Sequence, residues 1–301
     1  FGYPQVELDG TPVAIQRRKT LALLAYLAVT QQRVGREALA ALFWPDYDAP
    51  QASAYLRHTL WELRQALGDA HLEIDREAAT LVFDDGLWID IARFQELLAA
   101  QTGSTTRLPL LEEAIALYQG EFLAGLTLRD SPAFDEWQSL QSETFRRRLC
   151  EALASLVEIH STQGNYQQGI AAAQRWLSVD PLHEGAHCTL MQLYARSGQT
   201  AAALRQYETC VKMLRTELRT SPEPATTALY QNIRAGKIGA RRSEVPAAVE
   251  PSPAPEYRLS TIPTPATPFV GRETELAEIT RLLDNPACRL ITLVGPGGIG
   301  K

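Results

Sequence analysis

The chain has 301 residues, 45 % of them hydrophobic and 21 % charged, an ordinary globular composition with room for about two domains at roughly 150 residues each. Its longest apolar run, Leu21 to Val29, falls far short of the ~20 residues a membrane span needs, so no membrane partner is expected and a cytoplasmic location is predicted. The net charge of −6 gives no overall basic signature for nucleic acid, and Cys150, Cys188, Cys210 and Cys288 form no C-x-x-C, which argues for buried free thiols over a disulfide framework or zinc knuckle.

From Tyr3 to Ile15, Val6, Leu8, Val13 and Ile15 alternate around Asp9-Gly10, a dipeptide suited to a tight turn, and predict two short strands. Leu21, Leu24, Ala25, Leu27 and Ala28 recur at helical spacing. A second helix is expected from about Arg36 to Phe43, stopped by Pro45. The third runs from about Pro50 to Leu67, with Ala52, Leu56, Leu60, Leu63 and Leu67 on one stripe and Gly68 past its end. Leu72 to Ile74, a polar turn near Arg76 to Ala79, and Leu81 to Phe83 then read as a second hairpin. Strand pair, three helices and hairpin is the order of a winged helix-turn-helix, assigned to residues 1–92.

Asp90 is placed to cap a helix holding Ile91, Phe94, Leu97 and Leu98, and residues 93–236 are helical in pattern throughout. His160, Gly164, Gly169, Ala173 and Leu177 return as Tyr194, Gly198, Ala203, Tyr207 and Val211, each 34 residues later, the period of tetratricopeptide hairpins. An earlier pair, near Leu110 to Phe122 and Phe134 to Leu149, reads as an irregular first repeat. Seven prolines between 246 and 268 mark residues 237–268 as an extended linker. After it, Leu276, Ile279, Leu282 and Leu283 lie on a predicted helix. Leu290 to Val294 then forms a strand leading into Gly295-Pro296-Gly297-Gly298-Ile299-Gly300-Lys301, a G-x-x-x-x-G-K phosphate loop. The predicted fold class is therefore mainly α with a small β component: winged helix, tetratricopeptide-like repeats, proline-rich linker and the truncated start, 269–301, of a P-loop α/β domain. The loop stops one residue short of its Mg²⁺-binding Ser or Thr, so the ATPase core is expected beyond Lys301. No catalysis and no bound cofactor are expected of these residues by themselves.

The apolar stripe of the third helix leaves Gln51, Ser53, Ala54, Arg57, His58, Trp61, Arg64 and Gln65 on its outer half, side chains able to reach base edges and phosphates in a major groove. Arg17, Arg18 and Lys19 begin the first helix, where they can hold the DNA backbone. Residues 1–100 nevertheless carry nine Lys/Arg against fourteen Asp/Glu, a net charge of −5, so counterion release is expected to be weak and binding to depend on a local basic face. Glu62 on the same helix adds a negative charge unless it accepts from a cytosine amino group. His183-Glu184-Gly185-Ala186-His187 matches H-E-x-x-H, with Glu208 in reach as a third ligand, but the repeat register accounts for that stretch, and no metal site is expected.

Three segments together resemble one family. RRKTLALLAYLA, GREALAALFWP and ASAYLRHTLWELRQALG, within residues 17–67, are similar to the OmpR/PhoB-type winged helix of the SARP (antibiotic regulatory protein) class of bacterial transcriptional activators. LYQGEFLAGL and the two repeats that follow, within about 94–236, resemble that family's bacterial transcriptional activation domain. FVGRETEL and LITLVGPGGIGK, within 269–301, resemble the opening of STAND-class (NB-ARC-like) NTPases. The resemblance implies a promoter-binding activator whose third helix enters the groove through Arg57 and Arg64. It implies that the helical domain serves dimerisation or oligomerisation and RNA polymerase holoenzyme contact. It also implies a downstream module gating activity with ATP or ADP and Mg²⁺, Gly271, Arg272 and Glu273 lying by the adenine and Gly295 to Lys301 around the phosphates. The alternative reading, from the repeats and the acidic balance, is a protein-interaction or sensory scaffold with weak or no DNA binding.

Overall fold

The opening hairpin pairs β1 (Glu7–Leu8) with β2 (Thr11–Pro12), Glu7 opposite Pro12 and Leu8 opposite Thr11, as the alternation around Asp9-Gly10 predicts. The computed structural model describes residues 1–8, 11–83, 87–100, 104–238 and 273–283. Three helices follow, α1 (Arg18–Thr30), α2 (Arg36–Phe43) and α3 (Ala49–Leu67). Both ends of α3 are set by sequence. The Asp48 carboxylate accepts from the Gln51 amide at 2.9 Å, and Gly68, at φ 83°, takes the left-handed backbone that ends the helix.

A three-stranded antiparallel sheet completes the module, built from β3 (Val34–Gly35), β4 (Leu72–Ile74) and β5 (Ala78–Leu81) in the order β3-β5-β4. The polar turn expected at Arg76 to Ala79 closes earlier than the pattern suggests. Asp75 Oδ1 accepts from the amides of Glu77 and Ala78 at 2.7 and 2.8 Å, so Ala78 and Ala79 join the strand. The same amide bonds, with Arg33 nearby, hold the Asp75 carboxyl below its ordinary range. Strand β3, only two residues long between α1 and α2, has no alternation to announce it.

The helical part comprises α4 (Asp90–Ala99), α5 (Ser104–Leu117), α6 (Pro132–Thr162), α7 (Tyr166–Val179), α8 (Glu184–Arg196), α9 (Thr200–Met213), a π-helical turn at Leu214–Leu218, and α10 (Pro224–Arg234). Asp90 is the first residue of α4 and Ile89 its cap position, one step from the expected arrangement. The 34-residue repeat is exact in space as well: α7 and α9 start and end 34 residues apart, and Gly164 and Gly198 both take positive φ, 77° and 81°. A Cβ at Gly169 would sit 3.3 Å from a Leu193 methyl, the close approach its small size permits. One expectation is corrected. The helix foreseen to end near Leu149 continues through 31 residues to Thr162, because no Gly or Pro interrupts it there, so the irregular repeat and the first regular one share a helix.

Residues Phe1–Arg242 form one compact unit and Ser243–Lys301 a second, in which α11 (Glu273–Leu283) is described. Within the first unit, a continuous buried cluster runs from Leu21 in α1 to Leu193 in α8. Its centre is aromatic: Phe43 meets Phe134 at 5.2 Å, Phe134 meets Trp137 at 5.4 Å, and Trp137 meets Tyr26 at 4.7 Å between ring centroids. Ser131 Oγ donates to the Leu42 carbonyl at 2.5 Å, occupying an end carbonyl of α2. The Phe1 ring sits against Phe94, Tyr118 and Phe145. The winged helix and the helical array thus bury one core between them. Phe134→Ala, at a fully buried position, is expected to cost about 3–5 kcal/mol in urea unfolding; a loss below about 1 kcal/mol would show that the seam between the modules is not closely packed.

Candidate nucleic-acid interface

Spacing of three and four along α3 sends Ala52, Leu56, Thr59, Leu60, Leu63 and Leu67 into the core. Gln51, Ser53, Ala54, Arg57, His58, Trp61 and Gln65 are all exposed on the other half. Trp61 leaves 57 % of its surface in solvent, its ring edge-on to His58 at 5.8 Å between centroids, a high exposure for so large an aromatic. Arg57 makes no ion pair or hydrogen bond among the described residues, so its guanidinium faces outward with all five donors available. Arg64 is half-exposed and pairs with Asp69 at 2.9 Å. Because Asp69 is itself exposed, that pair is easily exchanged for another anion.

Glu62 does not face outward. It accepts from Thr20 Oγ1 at 2.7 Å and pairs with Arg17 at 3.1 Å, with His58 Nδ1 3.5 Å away. The expectation that Glu62 either repels phosphate or reads a cytosine is therefore corrected: its charge is consumed in fastening α3 to the start of α1. Arg17 stays largely exposed while doing so. Lys19 is also removed from the free set, since its Nζ donates to the Phe43 carbonyl at 2.5 Å, pairs with Asp130 at 2.8 Å and lies 5.0 Å from the Trp44 ring centre. Of the three basic residues that open α1, Arg18 alone is exposed without an ion pair or hydrogen bond among the described residues.

Sequence reasoning did not single out the hairpin tip. Arg76 is exposed at the β4–β5 turn, where Asp75 pairs with Arg33 and the Arg36 guanidinium donates to the Asp75 carbonyl at 3.0 Å. An unpaired arginine at the apex of a wing was available as a signal in the turn residues themselves. Of the nucleotide-site candidates, Glu273 opens α11, whereas Gly271, Arg272, Gly295, Pro296, Gly297, Gly298, Ile299, Gly300 and Lys301 lie outside the described residues.

The helices α4 to α10 can be set beside known proteins. Residues 89–234 match the family model of the bacterial transcriptional activator domain. The chain is also similar in fold to the structure described as Mycobacterium tuberculosis EmbR in complex with low affinity phosphopeptide, with a TM-score of 0.61 and 24 % identity over 78 % of this chain. It spans 63 % of that protein's chain. No curated protein matches the sequence. At that identity the structural likeness carries the fold, a mainly helical chain with a winged helix at its front.

The two histidines of the H-E-x-x-H stretch have structural tasks. His183 Nδ1 accepts from the Ala186 amide at 3.1 Å as the N-cap of α8. His187 is buried between the Pro181 carbonyl at 3.0 Å and Gln206 at 2.6 Å. Cys150 and Cys188 are half-buried free thiols, and burial pushes the Cys210 thiol up to about 12, which leaves it protonated and unreactive. Burial likewise holds the His187 imidazole below its ordinary 6.5. Since the unfolded chain then binds the proton more readily than the folded one, the stability His187 supports is complete above about pH 6.5 and falls as pH drops below it. Thermal midpoints taken between pH 7.5 and pH 5 are expected to fall less steeply in His187→Gln than in the parent chain; identical slopes would mean that His187 does not titrate with unfolding.

Proposed function

We propose that the chain is part of a bacterial transcriptional activator of the SARP type that binds promoter DNA with the outer face of α3 in the major groove. The observation that carries this reading is the division of α3 into a leucine row in the core and an exposed face bearing Arg57, Trp61, His58, Ser53, Gln51 and Gln65. Its one carboxylate is turned inward against Arg17 and Thr20. An α-helix with its side chains is about 10–12 Å across, close to the ~12 Å width of the major groove. Arg57 projects from one flank of that face to meet a base edge, and Arg64 follows two turns on along the same flank, exchanging Asp69 for a phosphate. The match of residues 89–234 to the bacterial transcriptional activator domain supports the second half of the reading, in which the helical array serves RNA polymerase contact or self-association. The glycine loop at 295–301 supports a nucleotide-binding switch, loaded with ATP or ADP and Mg²⁺, that gates the activator.

Binding is measured by fluorescence anisotropy on duplexes enriched from a random pool by the chain itself, then on the same duplexes with their selected bases scrambled. Arg57→Ala combined with Arg64→Ala is expected to weaken binding to the selected duplex about ten- to hundredfold, since one good bidentate base contact is worth about 1–3 kcal/mol. Scrambled duplex should lose less. Unchanged affinity in the double variant would remove α3 from the groove, and no retention of any duplex at low salt would favour the scaffold reading.

A further inference from the structure

A second basic feature lies beside α3, on the flank that Glu62 and Arg17 occupy. The first turn of α1, the Tyr55 and Thr59 side of α3 and the turn at 127–130 of the helical array enclose an open groove of about 460 Å³, walled by Arg17, Arg18, Lys19, Trp44, Tyr55 and Arg129 among others. Two carboxylates stand near it, and both are already satisfied: Glu62 by Arg17 and Thr20, and Asp130 by Lys19. Two guanidinium groups are left over. Arg18 and Arg129 are both exposed, and neither makes an ion pair or hydrogen bond among the described residues. They come from different modules, Arg18 from the winged helix and Arg129 from the helical array, and both line the groove.

A helix that fills a major groove has base edges in front of it and one phosphate strand along each flank. Successive residues of α3 turn by about 100°, so Tyr55 and Thr59 on the groove side lie about 120–160° around the helix from Arg57 and Trp61, on the flank of the exposed face opposite to that of Arg57 and Arg64, where the second phosphate strand runs. We propose that this groove receives one phosphate strand of the duplex held by α3, and that Arg129 is a DNA-backbone contact supplied by the helical array. This rests on the placement of α3 in the major groove. The winged helix and the array then grip DNA as a single body, and the acidic balance of the first hundred residues is offset by a charge borrowed from outside them. The Lys19–Asp130 pair beneath the groove holds the 127–130 turn against α1, so Arg129 is carried on a braced segment.

The test uses the 301-residue chain and two probes, the selected duplex and a random-sequence duplex of about 30 base pairs, with affinity followed from 50 to 200 mM salt. A phosphate contact contributes equally to both probes, and its loss lowers the slope of log affinity against log salt by about 1. Arg129→Ala and Arg18→Ala are each expected to weaken both duplexes by a similar factor of about three to ten and to lower the slope, with the ratio between the two duplexes unchanged. Arg129→Glu should weaken both further. Because Arg129 is exposed and unpaired, an unaltered thermal midpoint confirms that folding is not the cause. Parent affinity and slope in Arg129→Ala, while Arg57→Ala with Arg64→Ala still loses the selected duplex, would overturn the groove proposal and leave the α3 reading standing. Equal binding by the Arg57, Arg64 double variant and the parent would overturn the α3 placement, and the groove proposal with it.

Discussion

The aromatic seam between α2 and α6 governs this structure. Phe43 and Phe134 are fully buried against each other, with Trp137 and Tyr26 continuing the contact, and each ring removes about 150–250 Å² from water. A winged helix of about 90 residues would otherwise bury a modest core of its own. Here it shares one with the helical array, and the cluster runs without a break from α1 into the repeats. The hydroxyl of Ser131 and the ammonium of Lys19 both end on carbonyls at the close of α2, so the polar groups stranded at that helix end are satisfied by the same junction. Rigid coupling follows, because interfaces packed in this way do not slide continuously.

Electrostatics then sort the surface. The first hundred residues are acidic, yet the carboxylates on and around α3 are spent on neighbours: Glu62 on Arg17 and Thr20, Asp75 on the amides of its own turn and on Arg33, Asp48 on the first turn of α3, Asp69 on Arg64. Net charge therefore misstates what a phosphate strand would meet. The relevant quantity is the set of cations left without partners, and among the described residues near α3 that set includes Arg57, Arg76, Arg18 and Arg129. All four are arginines, whose planar five-donor group suits base edges and phosphates alike.

Much of this was legible in the sequence because it is periodic. The leucine row of α3, the glycine past its end, and the 34-residue return of the repeats are local patterns, and the structure follows them to within a residue or two. What was not legible depends on distance. Glu62 meets Thr20 across 42 residues and Lys19 meets Asp130 across more than a hundred, and no window of sequence reports such pairs. For the same reason Arg129 gave no signal, lying in a short turn with neither repeat nor motif around it. Strand β3 was missed because two residues cannot show an alternation, and the length of α6 because a helix without a breaker gives no mark of where one repeat yields to the next.

The central claim, that winged helix and helical array form one cooperative body through the α2–α6 seam, is tested most directly by native-state hydrogen exchange on the 301-residue chain. Amides in the middle of α1, α2, α3 and α6 are predicted to open with a common free energy and to respond together to denaturant, as members of one cooperative unit. If the amides of α1 to α3 opened at a distinctly lower free energy than those of α6, with their own denaturant dependence, the two modules would be separate bodies and the account would fail.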